Sequence, residues 1–180
     1  MNLALWTGVV PAQAHILNDA GSNPVSATMI YITIAQLTIF IVYIIVTYRL
    51  FGIPDSISST AYHFGEDRKY YFMLMCWALA FLNLFQGMEG WGFLTSAGLL
   101  FTGVTMEYRE NLAHSKILHG VAAGIAISSA LIGLGLLYDV WLPLVLFLSL
   151  SIILFNKENA IWWIEIIAFL LILTGYILKL

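Results

Sequence analysis

Residues 27–50 read ATMIYITIAQLTIFIVYIIVTYRL, an apolar run whose one charged residue, Arg49, stands near its end. As an α-helix this run is about 36 Å long, enough to cross the roughly 30 Å hydrocarbon core of a bilayer. A helix buried in a soluble protein does not need an uninterrupted apolar run of that length. The run therefore predicts a membrane-spanning helix.

The composition of the chain agrees with this interpretation. Hydrophobic residues make up 61% of the 180 residues and charged residues 9%, whereas a soluble domain has about 25% charged residues with which to cover its surface. The net charge is -3, and the seven Lys and Arg residues are scattered. Because there is no basic surface for nucleic acid, we expect membrane lipid as the partner and no nucleic acid.

Apolar runs between polar residues predict a polytopic helix bundle, an all-α single membrane domain over residues 1–180. After a short N-terminal segment, six transmembrane helices are expected at about 27–50, 69–86, 90–106, 116–138, 140–155 and 160–178. The fifth run is only about 24 Å long as a helix, so it requires a locally thinner bilayer or a hairpin that does not fully cross.

The basic residues predict the orientation of the bundle. Six of the seven flank the first, third and fifth loops, at Arg49, Arg68, Lys69, Arg109, Lys116 and Lys157, and only Lys179 would lie on the outer side. The second and fourth loops contain Glu89 and Asp139 but no Lys or Arg. The positive-inside rule therefore places loops one, three and five in the cytoplasm and both termini outside it.

Small residues predict the helix contacts, because helices in lipid associate by close packing. The fourth segment carries two small-residue faces, one with Gly120, Gly124 and Ser128 and the other with Ala122, Ala126 and Ala130. We expect this helix to be central, and substitution of Gly124 by Leu to disrupt the bundle. The glycines of the third segment predict a tight contact with a neighbouring helix. These faces also predict homo-oligomer contacts.

Polar residues after the first segment form the first candidate site. Asp55 or Ser56 is expected to begin a helix leading toward the second segment. On that helix one face would carry Ser56, Ser59, His63, Asp67 and Tyr70. A hydroxyl, an imidazole and a carboxylate on one face can bind a ligand or water. The alternative is an interfacial helix whose hydroxyls satisfy its own backbone.

Two further signals point to the same membrane face. Glu110, His114 and His119 precede or begin the fourth segment, and Glu165 lies about five residues inside the sixth. A carboxylate at that depth costs at least a few kcal/mol unless it faces the bundle interior and finds a partner. Because all of these residues fall at the cytoplasmic level, we expect one site containing His63, His119 and Glu165, with His114 at its edge.

Imidazoles with a carboxylate or water suit Zn²⁺, which polarises a carbonyl and acidifies its bound water. The hypothesis assigns His63, His114 and His119 as metal ligands, with Ser59 and Glu165 as assisting catalytic residues. His114 and His119 are five residues apart, so they share a helix face only if the helix begins between them. The alternative is a solvated juxtamembrane loop.

The stretch Ser59-Thr60-Ala61-Tyr62-His63 resembles the Ser-x-x-x-His motif of the CREST superfamily of membrane hydrolases, which includes the alkaline ceramidases, the adiponectin-receptor-like proteins and the hemolysin III group. The resemblance implies that His63 is a zinc ligand, that Ser59 assists, and that zinc-bound water cleaves a lipid amide. It extends to Ser59 and His63 only. The chain has six predicted segments where the family has seven, and no late His-x-x-x-His.

Two other functions fit the same residues. In the first, the chain is a small transporter or channel in which Glu165 and His119 relay protons or bind a cation, as intramembrane acids commonly do. In the second, it is a non-catalytic membrane subunit whose small-residue faces bind partner helices. The sequence leaves open whether the protein is an enzyme.

Overall fold

The chain folds entirely into helices within the ranges that the computed structural model describes, which are residues 24–64, 70–104 and 112–180. The α-helices are α1 (Pro24–Phe51), α2 (Thr60–His63), α3 (Tyr70–Asn83), α4 (Glu89–Val104), α5 (Leu112–Tyr138), α6 (Leu142–Leu154) and α7 (Ala160–Leu178). A single 3-10 turn, Leu84–Gln86, extends α3. The prediction of an all-helical chain is confirmed.

Every predicted apolar segment overlaps one of six longer helices, and left-handed backbone lies at several of the described breaks between them. Gly52 follows α1 with a φ of 75°, and Gly87 follows the 3-10 turn with a φ of 67°. Asp139 and Asn159 adopt the same region before α6 and α7. Glycine, Asn and Asp reach this conformation at low cost, so these residues turn the chain where one helix ends or the next begins.

Three of the helices are long and apolar enough to cross a membrane, which is typical of an integral membrane protein. The spanning candidates are Val25–Phe51, Ile117–Tyr138 and Ala160–Leu178. The other three are shorter, since the 14 residues of α3, the 16 of α4 and the 13 of α6 give helices of only about 21 Å, 24 Å and 20 Å. Length and composition thus support three crossings and do not support the predicted six.

Five helices form a closed ring in the order α1, α3, α4, α5, α7 and back to α1, as their mutual packing shows. Two contacts between α1 and α3 show how these neighbouring helices run relative to each other. The Tyr43 ring lies 6.2 Å from Phe72, while Gln36 bonds to the Leu79 carbonyl, so α1 and α3 are antiparallel. The α6 helix stands outside the ring, where Pro143 approaches Gly175 of α7.

The contact between α4 and α5 confirms the tight packing predicted for the third segment. A Cβ at Gly98 would lie 2.7 Å from the Ala126 nitrogen and 2.8 Å from the Ala122 oxygen. The alanine face of α5 therefore packs against the α4 backbone.

The other small face of α5 points away from the bundle. A Cβ at Gly120 or Gly124 would meet nothing within 4 Å, and Ser128 is exposed. The prediction that Gly124 packs inside the bundle is wrong, because the alanine face of the same helix takes the contact with α4. Whether Gly124 contacts a second copy stays a prediction.

The segment after α1 also differs from its prediction. We expected one helix from Asp55 or Ser56 toward the second segment, but α2 is a single turn with Ser59 at its N-cap, and Phe64 after it is extended. Asp67 lies outside the described residues. Among the described residues of the predicted face, Ser56, Ser59, His63 and Tyr70 do not belong to one helix, because α2 covers only Thr60–His63 and Tyr70 begins α3.

Candidate functional site

A cavity of about 110 Å³ lies among the five helices of the ring, all of which contribute to its wall. Its wall includes two of the residues singled out from the sequence, His119 and Glu165. The α7 face that lines it recurs at steps of three and four residues, as one side of a helix does, with Glu165, Ala168, Phe169, Ile172, Leu173 and Tyr176. From Glu165 to Tyr176 this face extends about 16 Å.

The cavity has two distinct ends. We call the end with Glu165, His119 and the loop residue Ile57 the Glu165 end, and the end with Asn83 and Tyr176 the Asn83 end. Side chains such as those of Leu79, Leu99, Phe169, Ile172 and Leu173 lie between them. The cavity surface is thus almost entirely apolar, with titratable and amide side chains bordering it at the two ends.

Glu165 faces the bundle interior, as the cost of burying a carboxylate predicts. Its Oε2 atom accepts a hydrogen bond of 2.5 Å from the backbone N–H of Ile57. One turn earlier on α7, the Trp162 N–H donates to the Asp55 carbonyl at 3.2 Å. These two bonds hold the loop after α1 against α7, and the loop closes the Glu165 end of the cavity.

His119 lies on the same cavity, on the first part of α5. Its Nδ1 atom donates to the Thr102 carbonyl at 3.3 Å, and its ring centroid lies 6.1 Å from that of Phe72. The side chain is half-buried. The structure therefore brings His119 and Glu165 to one end of one cavity.

The other predicted site residues lie elsewhere. The Ser59 hydroxyl donates to the Ser56 carbonyl at 2.7 Å, and His63 is exposed, with Nδ1 donating to the Ser59 carbonyl at 2.9 Å. Neither lines the cavity, since α2 turns them away from it. We had placed His63 with His119 and Glu165, and the observed cavity joins only the latter two.

The zinc hypothesis stays a prediction. His114 belongs to α5, but its side chain lies outside the described residues. Within the described part of the chain, no group of three or more His, Cys, Asp and Glu side chains is arranged to hold a metal ion.

The Asn83 end holds a hydrogen-bond network that the sequence analysis did not identify. Tyr176 Oη donates to Asn83 Oδ1 at 2.5 Å. Asn83 Nδ2 donates to the Gly92 carbonyl at 3.0 Å and to Ser96 Oγ at 3.1 Å. This amide joins α3, α4 and α7 at one point. In the sequence, this network is indicated by Asn83 inside an otherwise apolar predicted span, because a buried amide needs hydrogen-bond partners.

A second amide pair lies beside the first. Gln86 Nε2 donates to Gln36 Oε1 at 2.8 Å and to Thr33 Oγ1 at 3.0 Å. Gln36 lines the cavity, so the pair connects the cavity wall to the 3-10 turn. Gln86 Oε1 is buried and has no hydrogen-bond partner among the described residues. A buried acceptor of this kind is ordinarily satisfied by water.

Lys179 covers the Asn83 end. Its ammonium donates to the Gln86 carbonyl and lies 4.9 Å from the ring centroid of Tyr138 and 5.1 Å from that of Tyr176. Aromatic faces attract a cation at such distances. Burial lowers the pKa of the Lys179 amine from its ordinary 10.5 to about 8, because removal from water disfavours the charged form.

Comparison of the chain with protein-family models, with curated proteins and with solved structures found no match.

Proposed function

We propose that this protein translocates protons across a membrane and that Glu165 is the group that binds them. The observation that carries the proposal is the cavity, because it extends from the half-buried Glu165 carboxylate at one end of the helix ring to an amide and phenol network near the other. Intramembrane carboxylates and imidazoles commonly serve as proton relays. In this proposal His119 is the second titratable group at the Glu165 end.

The small size of the cavity favours protons over larger substrates. A water needs roughly 10–15 Å³ of such volume, so a cavity of about 110 Å³ is too small for a larger substrate. Its surface is almost entirely apolar, so the proposed proton path requires waters that enter transiently from the ends where Glu165 and Asn83 lie. Metal cations need several oxygen ligands instead. The two threonines on the wall, Thr95 and Thr102, donate to carbonyls of their own helix at 2.9 Å and 2.7 Å, and side chains between the ends are mainly apolar.

The proposal includes the predicted six-span topology, with both termini outside the cytoplasm. Support comes from the alternating direction of the helices. Arg49 and Lys157 lie at the Glu165 end, whereas Glu89 and Asp139 lie at the Asn83 end. By the positive-inside rule the Glu165 end is cytoplasmic. The short helices α3, α4 and α6 then require local thinning of the bilayer.

The test is proton flux in liposomes that contain the purified protein and a pH-sensitive dye, under an imposed pH gradient with valinomycin and K⁺ to prevent charge build-up. The informative variant is Glu165→Gln, because its amide oxygen still accepts from the Ile57 N–H while the side chain no longer binds a proton. We expect the flux to fall to that of empty liposomes.

The matched control is Glu158→Gln, which neutralises an exposed acid at the same end of the bundle and should conduct like the wild type. Flux through Glu165→Gln equal to that of the wild type would contradict the proposal. If the wild type shows no flux, the hydrolase and the non-catalytic subunit are the hypotheses to pursue, beginning with metal analysis of the purified protein.

A further inference from the structure

At the Asn83 end, the cavity is bordered by two side chains of the hydrogen-bond network. Tyr176 and Asn83 belong to the cavity wall, and Tyr176 Oη is bonded to Asn83 Oδ1. Lys179 lies beside the same tyrosine, with its Nζ atom 5.1 Å from the Tyr176 ring centroid. The Tyr176 side chain thus borders the cavity and also lies beside a protonatable amine.

A second connection joins the cavity to the same amine. Gln36 on the cavity wall accepts from Gln86 Nε2, and the Lys179 ammonium donates to the Gln86 backbone carbonyl. The buried and unpartnered Gln86 Oε1 is an acceptor suited to an internal water on this connection. The amide groups of Gln36 and Gln86 do not gain or lose protons, but they orient water and the Lys179 amine.

We infer that Lys179 is the group that exchanges protons between the Asn83 end of the cavity and the bulk water on that side. This inference rests on the proposed proton translocation and adds a second titratable residue to it. A proton leaving the cavity adds to the lone pair of the neutral Lys179 amine and gives the ammonium. The ammonium then loses a proton to bulk water, which restores the amine, and the reverse sequence carries protons inward.

The surroundings of Lys179 fit this role. Lys179 is half-buried, so it reaches both the protein interior and water. The side chains that face it are the phenols Tyr138 of α5 and Tyr176 of α7. Of the nearby acids, Glu89 acts electrostatically on Tyr138, and Asp139 accepts from the Trp141 indole at 2.9 Å. Burial brings the pKa of the amine to about 8, where both protonation states are populated near neutral pH.

The test uses two substitutions in the full chain. Lys179→Arg keeps the positive charge, the contact with aromatic rings and a donor for the Gln86 carbonyl, but a guanidinium does not lose its proton in this pH range. Lys179→His keeps a titratable group with a lower ordinary pKa. Liposome flux is measured from pH 6 to pH 9, and thermal unfolding in detergent checks that both variants fold.

We expect Lys179→Arg to lose roughly 100-fold in flux, as loss of a proton-transfer group does, and Lys179→His to conduct with its pH profile shifted toward lower pH. Wild-type flux through Lys179→Arg would overturn the inference while leaving the role of Glu165 intact. Equal loss in both folded variants would also overturn it, because a titratable side chain would then not suffice. Absence of flux in the wild type would overturn both proposals.

Discussion

Glu165 and Lys179 illustrate how differently two charged residues on one helix can be predicted. Glu165 interrupts a run of isoleucines, so the cost of a carboxylate in lipid identifies it without a structure. Lys179 follows the helix end, where a lysine ordinarily reaches the membrane surface and water. Its contact with two phenol rings depends on how α5 and α7 pack. No sequence pattern gives that packing, and the same holds for the bond between Tyr176 and Asn83.

Lys179 should make folding stability depend on pH. Below about pH 8 the amine is charged in both the folded and unfolded states, and the folded state carries the cost of burying that charge. Between the folded pKa of about 8 and the unfolded value of 10.5, the unfolded chain binds more protons, so stability rises with pH.

Lys179→Met removes the charge and keeps most of the apolar stem. We expect the wild type to gain thermal stability relative to Lys179→Met as the pH is raised from 7 to 10 in detergent. Parallel curves for the two proteins would show that Lys179 is not buried as described.

The helices were the most predictable elements, because an apolar run bounded by polar and left-handed residues specifies a helix whatever its neighbours are. Their contacts were harder to predict. On α5 the sequence offers two faces of small residues, and either could pack against a neighbour. Packing selects the face with Ala122 and Ala126, against which Gly98 of α4 fits. The sequence did not predict that α2 is a single turn, because the length of this helix depends on the hydrogen bonds that hold the loop after α1 against α7.

The contact between α4 and α5 predicts a sharp difference between two glycines. Gly98→Ala would place a methyl group 2.7 Å from a backbone nitrogen of α5, so the helices must separate, at a cost of about 1–3 kcal/mol for overpacking. Gly124→Ala meets nothing within 4 Å and improves helix propensity. Thermal unfolding in detergent should therefore lower the midpoint for Gly98→Ala and leave it unchanged or raised for Gly124→Ala. Equal midpoints would contradict the close approach.

At the scale of the whole molecule, the alternation of helix direction can be tested by labelling. In a Cys76→Ala background, single cysteines at Asp139 and Lys157 lie at opposite ends of α6. We expect a probe that does not cross membranes to reach position 139 from outside the cell and position 157 only after the membrane is opened. Labelling of both positions from the same side would mean that α6 does not cross.

The closed ring has a consequence for how the protein is made. Helices leave the ribosome in chain order, and the ring stays open between α1 and α5 until α7 arrives, because α6 packs outside it. The same helix carries Glu165, and Lys179 directly follows it. An unfinished bundle on the translocon therefore lacks both the closed helix ring and the Glu165 carboxylate. If the protein translocates protons as proposed, the path forms only when α7 joins the ring, so the earlier stages of insertion would not leak protons.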